Sequence, residues 1–377
     1  MPDNMPAAFS NATCGRTINS DDGRRSHDIA FERTFLLAIG WPPERVRRLE
    51  EQARTAGVGL LQTAISLGLL NASHLYSRLA TNLSFGVGSS GLRVRLPRER
   101  REAWHLIEQR VPLKLEGEAG IALNGQVFSL TTLLALARGL GPRGAHLKLL
   151  TRQQFIDALG RSFGHALVER AVSGLPRSRP QWSAKMGLAL WQALFNAIAC
   201  GLFFGAIAVA TGDALALCSL CLSVFFLLTL FLRAFAVLNI LFPGPPKVSP
   251  PPLADADLPR YTVLVPLYRE VAILPHLARA LARLDYPAAK LDIKLVLESE
   301  DLPTIEAALN LKLPGNVDLI VVPDREPRTK PKALNYALQF ATGNLAVIFD
   351  AEDRPEPDQL RKAATIFRTA PPDLACL

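Results

Sequence analysis

The residues of this chain with the clearest capacity for chemistry are the three acids of the segment Asp350-Ala-Glu352-Asp353. They follow an apolar run at 345–349 that has the composition of a short buried strand. Carboxylates one residue apart, on the turn that leaves a strand, can both reach one hard divalent cation, which can in turn bridge a diphosphate. The segment therefore predicts a site for Mg²⁺ or Mn²⁺ with Asp350, Glu352 and Asp353 as ligands.

Basic side chains gather just upstream, where a helical pattern begins. Lys330 and Lys332 stand at its start, and Arg325 and Arg328 come shortly before. Backbone N–H groups at a helix N-terminus attract phosphate, and the two lysines add full positive charges. We expect this end of the helix to hold phosphate groups.

Two further polar segments each follow an apolar run. Tyr268 and Glu270 provide an aromatic face and a carboxylate, which suit a base and its ribose. Glu298, Glu300 and Asp301 form an acidic cluster without a basic neighbour in sequence, which is costly to bury unless a cation or hydrogen-bond donors lie nearby. A solvated loop explains this second segment equally well, and the sequence leaves the choice open.

Four short apolar runs position these side chains, and each is separated from the next by a stretch long enough for a helical crossover. The runs are 261–265, 293–297, 319–322 and 346–349. This alternation predicts β-α-β units and a mostly parallel sheet. Because ligands of such sheets bind beyond the carboxyl ends of the strands, we expect all the polar segments to meet at one rim.

The same segments carry a family resemblance. VLVPLYRE at 263–270, DYP at 285–287, KPKALNYAL at 330–338 and VIFDAEDRPEPDQL at 347–360 resemble the donor half of a family-2 glycosyltransferase. Within that family the chain is most similar to membrane-embedded polysaccharide synthases related to cellulose synthase. The resemblance implies an incomplete α/β GT-A (Rossmann-like) fold over 260–377. It also implies an inverting, metal-dependent hexosyl transfer from a UDP-linked sugar to a glycan acceptor.

The resemblance assigns one group of residues to the nucleoside end of the donor. Pro266, Tyr268 and Glu270 match the motif that lines the nucleoside pocket. Glu298 stands where the family usually has an aspartate that contacts uracil, so the preferred base is less well defined than in the family.

A second group is assigned to the diphosphate and the metal. Lys330 and Asn335 match a lysine and an asparagine near the diphosphate, and Asp350 with Glu352 matches an Asp-x-Asp metal motif. Glutamate at 352 is a departure from that motif, and Asp353 offers a substitute ligand.

The family's catalytic base lies in a Thr-Glu-Asp motif, and its acceptor side adds a Gln-x-x-Arg-Trp motif, neither of which occurs between Asp350 and Leu377. We therefore expect a C-terminally truncated chain with the base unassigned. Asp358 is an alternative base, although an acid at a helix start is ordinarily a capping residue. The alternative function is a catalytically inactive membrane protein that acts through a partner-binding N-terminal domain.

Two uncharged apolar runs, 186–210 and 214–232, are each long enough to cross a bilayer as a helix. Thr211-Gly212-Asp213 between them predicts a tight turn and hence a two-pass hairpin. Basic residues flank its outer ends: Arg177, Arg179, Lys185, Arg233 and Lys247. By the positive-inside rule the N- and C-terminal domains are cytoplasmic, and we expect a bacterial inner membrane. A buried hairpin of a large soluble protein is the alternative.

The remaining segments complete a multidomain prediction. Residues 1–27 are too polar to form a core and predict a disordered tail. Residues 28–176 predict a separate, soluble, mainly helical domain, and 243–258 a stiff proline-rich linker. The stretch 60–85 resembles the N-terminal domain of type II secretion ATPases, which in relatives binds a partner or a cyclic dinucleotide. Because no nucleotide-binding repeat matches, we expect a scaffold or a protein-partner site.

Composition fits this division. The 377 residues suffice for two or three domains, and 49% hydrophobic with 20% charged residues exclude a chain that is membrane throughout. The 42 basic against 34 acidic residues give a net charge of +8, which suits an anionic partner. We expect no nucleic acid, because the positive charge lies at membrane flanks and helix ends rather than in a stripe with aromatic residues.

Overall fold

The computed structural model describes residues 21–89, 91–95, 113–117, 120–183, 187–209, 211–242, 251–311 and 313–377. The chain divides into two compact units. The first unit combines Met1–Val172 with Pro251–Leu377, and the second unit is Ser173–Pro250. The N-terminal region and the C-terminal region therefore form one body, whereas the sequence pattern predicted separate domains.

The N-terminal region contains helices around a small sheet. Its helices are α1 (Asp21–Ala38), α2 (Pro43–Ala56), α3 (Leu60–Ser66), α4 (Ala72–Asn82), α5 (Leu130–Leu140) and α6 (Arg152–Ser178). Its strands are β1 (Gly86–Val87), β2 (Val94–Arg95), β3 (Leu113–Leu115), β4 (Ile121–Asn124) and β5 (Leu147–Leu150), in the order β1-β5-β4-β3-β2. The helical character is as expected, but this sheet was not predicted, because strands of two to four residues are too short to show an alternating pattern.

The start of α1 corrects the predicted tail. Residues 1–20 lie outside the described residues, but Asp21 already belongs to α1, so the segment 21–27 is helical rather than part of a tail. The polar residues 21–27 are the first turns of the same helix whose later turns bury Ile29 and Leu36. Burial of those two side chains stabilises the helix as a whole.

The second unit contains the two apolar helices α7 (Leu190–Val209) and α8 (Thr211–Leu241), which contact each other. Both are long and apolar enough to cross a membrane. Their apolar stretches are not buried against other described parts of the chain. Thr211-Gly212-Asp213 was expected as a turn but forms the first turn of α8, and α8 continues to Leu241 rather than ending at 232. Residues 184–186, 210 and 243–250, which include Lys185, Lys247 and the first half of the predicted linker, lie outside the described residues.

The C-terminal region has the predicted parallel sheet. Its strands β6 (Tyr261–Leu267), β7 (Leu291–Glu298), β8 (Val317–Val322) and β9 (Leu345–Ile348) lie in the order β8-β7-β6-β9, and every neighbouring pair is parallel. The helices are α9 (Leu274–Ala282), α10 (Leu302–Asn310), α11 (Lys330–Leu338) and α12 (Gln359–Thr369). The central strand β7 is buried at seven of its eight residues, as expected for a parallel strand covered on both faces.

Each face of this sheet has its own hydrophobic core. On one face, Val263 and Ile293 pack with Leu277 of α9. On the other face, Val296 of β7 belongs to a core that includes Phe155 of α6 and Tyr336 of α11. Helix α6 of the N-terminal region is therefore one of the layers that cover the sheet.

Polar contacts at the start of α6 join it to the sheet. The Gln153 side-chain amide bonds both backbone groups of Leu319: its Nε2 donates to the carbonyl oxygen at 2.9 Å, and its Oε1 accepts from the N–H at 2.9 Å. Strand β8 ends the strand order, so this side chain occupies the place of a neighbouring strand.

A buried charge cluster lies beside this contact. Arg152 Nη2 pairs with Asp318 Oδ2 at 2.6 Å and with Asp292 Oδ1. Lys294 Nζ lies 2.8 Å from Asp292 Oδ1 and 2.6 Å from Asp318 Oδ2. Burial, and then the nearby Arg152 guanidinium, lower the pKa of Lys294 to about 7. Two basic side chains and two carboxylates thus pair with one another inside the sheet, and one of the basic side chains, Arg152, comes from the N-terminal region.

Candidate functional site

A cavity of about 390 Å³ opens at the carboxyl ends of β6, β7 and β9, next to the start of α11. Of the nine residues assigned to the donor or the metal in the sequence, seven line it: Pro266, Tyr268, Glu270, Glu298, Lys330, Asp350 and Glu352. The sheet thus brings together side chains that are up to 86 positions apart in the chain, at the rim where parallel sheets bind ligands.

The loop after β6 forms one wall. Tyr268 is about half exposed, and its hydroxyl donates to Glu300 Oε1 at 3.2 Å. The Arg269 guanidinium lies 5.1 Å from the centre of the Tyr268 ring. Arg269 adopts a positive φ of 57°, which lets its N–H donate to Asp301 Oδ2 at 2.5 Å. The loop after β7 therefore fixes the loop that presents the aromatic ring to the cavity.

Each acid of the cluster after β7 has a hydrogen-bond donor or a cation nearby. Burial would raise the pKa of Asp301, but the N–H groups of Arg269 and Thr304 hold it below its usual value. Glu300 Oε2 lies 3.4 Å from Arg328 Nε. Glu298 Oε2 accepts from Lys332 Nζ at 3.1 Å. The partners of the cluster thus come from loops, from α10 and from α11, while Glu300 itself is exposed.

Lys332 has a different role from the one predicted. It is 2% exposed, and it donates to Glu298 Oε2 and, at 3.2 Å, to the Arg325 carbonyl oxygen. Burial raises the pKa of Glu298, and Lys332 opposes that shift. Of the two lysines expected at phosphate, only Lys330 lines the cavity, because the first turn of α11 points Lys332 toward β7.

The far wall carries the candidate metal ligands. Asp350 Oδ1 pairs with Lys330 Nζ, and the Asp350 N–H donates to Asp353 Oδ2 at 2.7 Å. Asp353 therefore closes the turn after β9 and lies outside the lining of the cavity, whereas Asp350 and Glu352 both line it.

Glu270 faces these acids from the opposite loop. Its buried Oε2 atom has no hydrogen-bond partner within the described part of the chain. Burial, and then the charges of Glu352 and Asp350, raise the pKa of Glu270. Three carboxylates thus repel one another around a space where Lys330 supplies a positive charge.

This donor set fits a divalent cation bound jointly with a ligand. Among the residues described, no three His, Cys, Asp or Glu side chains are arranged as a complete metal site. Mg²⁺, however, is usually bound through one or two carboxylates together with substrate phosphates and water. Asp350 and Glu352 supply two carboxylates, and the orphaned oxygen of Glu270 marks the excess of negative charge that a cation would relieve.

Asn335 lies away from the cavity. It is on the side of α11 that faces α6, where its Nδ2 donates to the Ala171 carbonyl oxygen at 3.3 Å. One turn later Gln339 Nε2 donates to the Leu167 carbonyl oxygen at 2.8 Å. The structure also adds Arg328 to the lining. Arg328 stood in the basic cluster of the sequence, but its position opposite Glu300 depends on a loop that no local pattern predicts.

Comparison with known proteins finds matches to part of the chain. Residues 259–376 match the family model described as "Glycosyltransferase like family 2", and the matched segment contains the parallel sheet and the cavity. No curated protein matches the chain. A solved structure similar to this chain is mannosyltransferase PcManGT from Pyrobaculum calidifontis in complex with GDP-Man and Mn²⁺, with 31% identity and a TM-score of 0.29. The match covers 36% of this chain and 39% of that chain. The segment is thus similar to family-2-like glycosyltransferases. The chain spans about two fifths of the length of the solved structure.

Proposed function

We propose that this protein transfers a sugar from a nucleotide-sugar donor, linked to UDP, to a glycan or polysaccharide acceptor. The observation that carries the proposal is the convergence of Tyr268, Glu270, Lys330 and Asp350 in one cavity, inside the segment that matches the glycosyltransferase family. The position of this cavity at the carboxyl ends of parallel strands supports a donor nucleotide as its ligand.

One wall of the cavity would bind the base of the donor, and the other wall would bind its diphosphate. Tyr268 offers a half-exposed ring on which a base can stack, and Glu298, held by Lys332, offers an acceptor for the base. On the other wall, Lys330 and the N-terminal turn of α11 face the position of a diphosphate. The donor would lie with its sugar nearest Asp350 and Glu352.

We propose Asp350 and Glu352 as the residues that hold Mg²⁺ or Mn²⁺, a choice supported by their shared lining of the cavity. When bound, the ion neutralises the charge that develops on the leaving diphosphate. Lys330, which pairs with Asp350, can then turn to a phosphate oxygen and add a second positive charge. Glu270 accepts hydrogen bonds from the donor and balances the charge of the site.

The reaction we propose is an inverting displacement. A carboxylate takes the proton of an acceptor hydroxyl as that oxygen attacks the anomeric carbon, and the bond from this carbon to the diphosphate oxygen breaks, so that the nucleoside diphosphate leaves. Asp358 is not proposed as this base. Its carboxylate pairs with Lys362 Nζ at 2.9 Å at the start of α12, and it lies outside the lining of the cavity.

We further propose that α7 and α8 form a two-pass hairpin in a bacterial inner membrane, with the N- and C-terminal domains in the cytoplasm. The length, the apolar composition and the exposed side chains of the two helices support this arrangement. The basic residues that flank the hairpin support the orientation. A donor site at the cytoplasmic face is typical of the membrane-embedded polysaccharide synthases that the sequence resembles.

The experiment that tests the function is calorimetric titration of the purified full chain with a panel of UDP-linked sugars, with and without Mn²⁺. We expect metal-dependent binding that Asp350→Asn weakens by about 10- to 100-fold, as expected for lost charge-assisted contacts. Asp373→Asn makes the same chemical change at an exposed position and should leave binding intact.

Asp353→Asn separates two assignments of the third acid. Its amide oxygen can still accept from the Asp350 N–H, so unchanged affinity supports a structural role, whereas loss of metal dependence would make Asp353 a ligand. If no donor binds with or without metal, the proposal fails, and the alternative of an inactive protein acting through its N-terminal region gains support.

A further inference from the structure

The loop that leads into the start of α11 contacts a helix of the N-terminal region. This loop, residues 323–329, connects β8 to α11. Its last two residues, Arg328 and Thr329, line the candidate donor cavity together with Lys330, the first residue of α11. Residues 324–330 are all exposed. Burial therefore does little to fix the loop, and its position depends on a small number of contacts.

One of these contacts is an ion pair with α6. Arg325 Nη2 donates to Glu169 Oε2, and the two side chains are 42% and 30% exposed. A hydrogen bond between two charged groups is stronger than one between neutral groups. Glu169 lies outside residues 259–376, the segment that matches the glycosyltransferase family model. The pair therefore joins the loop to a part of the chain that the family model does not cover.

The Arg325 backbone contacts the buried interior of the site. Its carbonyl oxygen accepts from Lys332 Nζ at 3.2 Å, and the same Nζ donates to Glu298 Oε2 at 3.1 Å. Lys332 is 2% exposed, so close packing leaves it little freedom to follow a displaced loop. The position of Arg325 therefore matters both to the loop and to the end of β7.

The first residue of the loop also lies against α6. A Cβ at Gly164 would be 3.1 Å from Pro323 Cγ, which is closer than an ordinary van der Waals contact. Only glycine lets the helix backbone come this near to the proline ring. Helix α6 thus contacts the loop at Pro323 and again at Arg325, from two positions that are five residues apart.

Helix α11 itself rests on the same part of α6. Asn335 Nδ2 donates to the Ala171 carbonyl oxygen at 3.3 Å. Gln339 Nε2 donates to the Leu167 carbonyl oxygen at 2.8 Å. Tyr336 belongs to the hydrophobic core that α6 shares with the sheet. The loop and the helix that follows it therefore have one common support, residues 164–171 of α6.

The first turn of α11 has no side-chain cap of its own. Thr329 occupies the N-cap position, and its side chain makes no capping hydrogen bond. A helix start without a cap is held less firmly, so the position of Lys330 follows that of the loop. Lys330 and the first N–H groups of α11 are the groups to which we assign the diphosphate. The loop contacts therefore determine how well these groups are placed.

We propose that Glu169 is a positioning residue of the donor site. Through Arg325 it holds the loop 323–329, and the loop in turn holds Lys330 beside the diphosphate. This inference rests on the proposed function, because it requires a nucleoside diphosphate in the cavity. It makes the N-terminal region a part of the donor site.

The test is calorimetric titration of the full chain with UDP in the presence of Mn²⁺. Exposed ion pairs are weak, so Glu169→Gln and Arg325→Gln should each weaken UDP binding by about two- to fivefold, with little change in melting temperature. The double variant should bind as each single variant does, because both substitutions remove the same contact. Glu306→Gln, the same change at an exposed position of α10, is the matched control.

Two further measurements separate positioning from a general loss of structure. The exchanged pair Glu169→Arg/Arg325→Glu restores the contact with the charges reversed, and it should recover UDP affinity. Trypsin reports on the loop without any nucleotide, because the chain has to leave its folded position before the bond after Arg328 is cleaved. This bond should be cleaved faster in Glu169→Gln than in wild type and in Glu306→Gln.

The possible failures are distinct. UDP affinity that is equal in wild type, Glu169→Gln and Arg325→Gln overturns this inference and leaves the proposed function standing. Additive losses in the double variant, or equal cleavage after Arg328, also overturn it, because the two residues would then not act together through the loop. A wild-type chain that binds no UDP with or without Mn²⁺ overturns the proposed function and this inference with it.

Discussion

Replacing Arg152 with methionine tests whether the N-terminal region stabilises the parallel sheet through charge. In the wild type, Arg152 and Lys294 balance Asp292 and Asp318, and the two aspartates are 0% and 2% exposed. Methionine fills a similar length of space with an apolar side chain. The variant leaves one buried cation facing two buried carboxylates.

The expected loss of folding free energy in Arg152→Met follows from the burial of the charge cluster. Removing one partner of a buried ion pair costs about 3–5 kcal/mol, because a charge is left uncompensated. The Arg152 side chain is 12% exposed, so water can replace part of its effect, and we expect about 3 kcal/mol. Against a total stability of about 5–15 kcal/mol for a typical domain, this is a large fraction.

The pH dependence has a definite sign. Arg152 and Lys294 lower the pKa of Asp318 against the opposing effect of burial. A carboxyl whose folded pKa is lowered stabilises the fold above its unfolded pKa, and that stabilisation is lost as the pH falls through the folded value. The difference between wild type and Arg152→Met should therefore be largest near neutral pH and shrink in acid.

The assay is urea unfolding of the full chain in micelles, followed by circular dichroism. Arg161→Met, the same change at an exposed position of α6, should alter the free energy of unfolding by less than about 0.5 kcal/mol. The double variant Arg152→Met/Asp318→Asn restores the charge balance and should recover part of the loss. A loss below about 1 kcal/mol for Arg152→Met, or a double variant no more stable than the single one, would refute the reasoning.

Three further predictions concern the donor cavity and helix packing. Because burial, and then the neighbouring carboxylates, raise the pKa of Glu270, its ionised form destabilises the fold. Glu270→Gln should therefore raise the melting temperature at about pH 8 but not at about pH 4. Lys330→Ala frees Asp350, so calorimetry should show tighter Mn²⁺ binding without donor and weaker binding of UDP. Gly164→Val should lower the melting temperature, since a Cβ on α6 there already lies 3.1 Å from a proline ring, whereas Gly139→Ala in α5 meets open space and should not. The argument for Glu270 is wrong if Glu270→Gln melts at the wild-type temperature at both pH values. The argument for Lys330 is wrong if Lys330→Ala binds Mn²⁺ as the wild type does, and the packing argument is wrong if the two glycine variants melt at the same temperature.

The sequence predicted the C-terminal sheet and most of its site because the signals are local. Each strand is one apolar run, and each candidate side chain comes within a few residues of its end. Parallel pairing alone then places Tyr268, Glu298 and Asp350 at one rim. No long-range contact has to be known for that step.

The misplaced residues are those whose surroundings come from distant segments. Asn335 and Lys332 lie on the same short helix as Lys330, but one faces the Ala171 carbonyl of α6 and the other faces Glu298 of β7. The motif identifies the helix but not which of its sides meets the cavity. The joining of the N-terminal region to the sheet escaped prediction for the same reason, because the side chain of Gln153 pairs with a strand 166 positions away.

The first unit is built from two stretches of chain that are separated by residues 173–250, and this order has a consequence during biosynthesis. The apolar side of α6, with Phe155 and Leu159, packs against β7, β8 and α11, which are translated more than 110 residues later. At about 5–20 residues per second, 110 residues take roughly 5 to 20 seconds. The nascent chain therefore carries an uncovered apolar helix while α7 and α8 leave the ribosome, and it needs shielding until the sheet has been made.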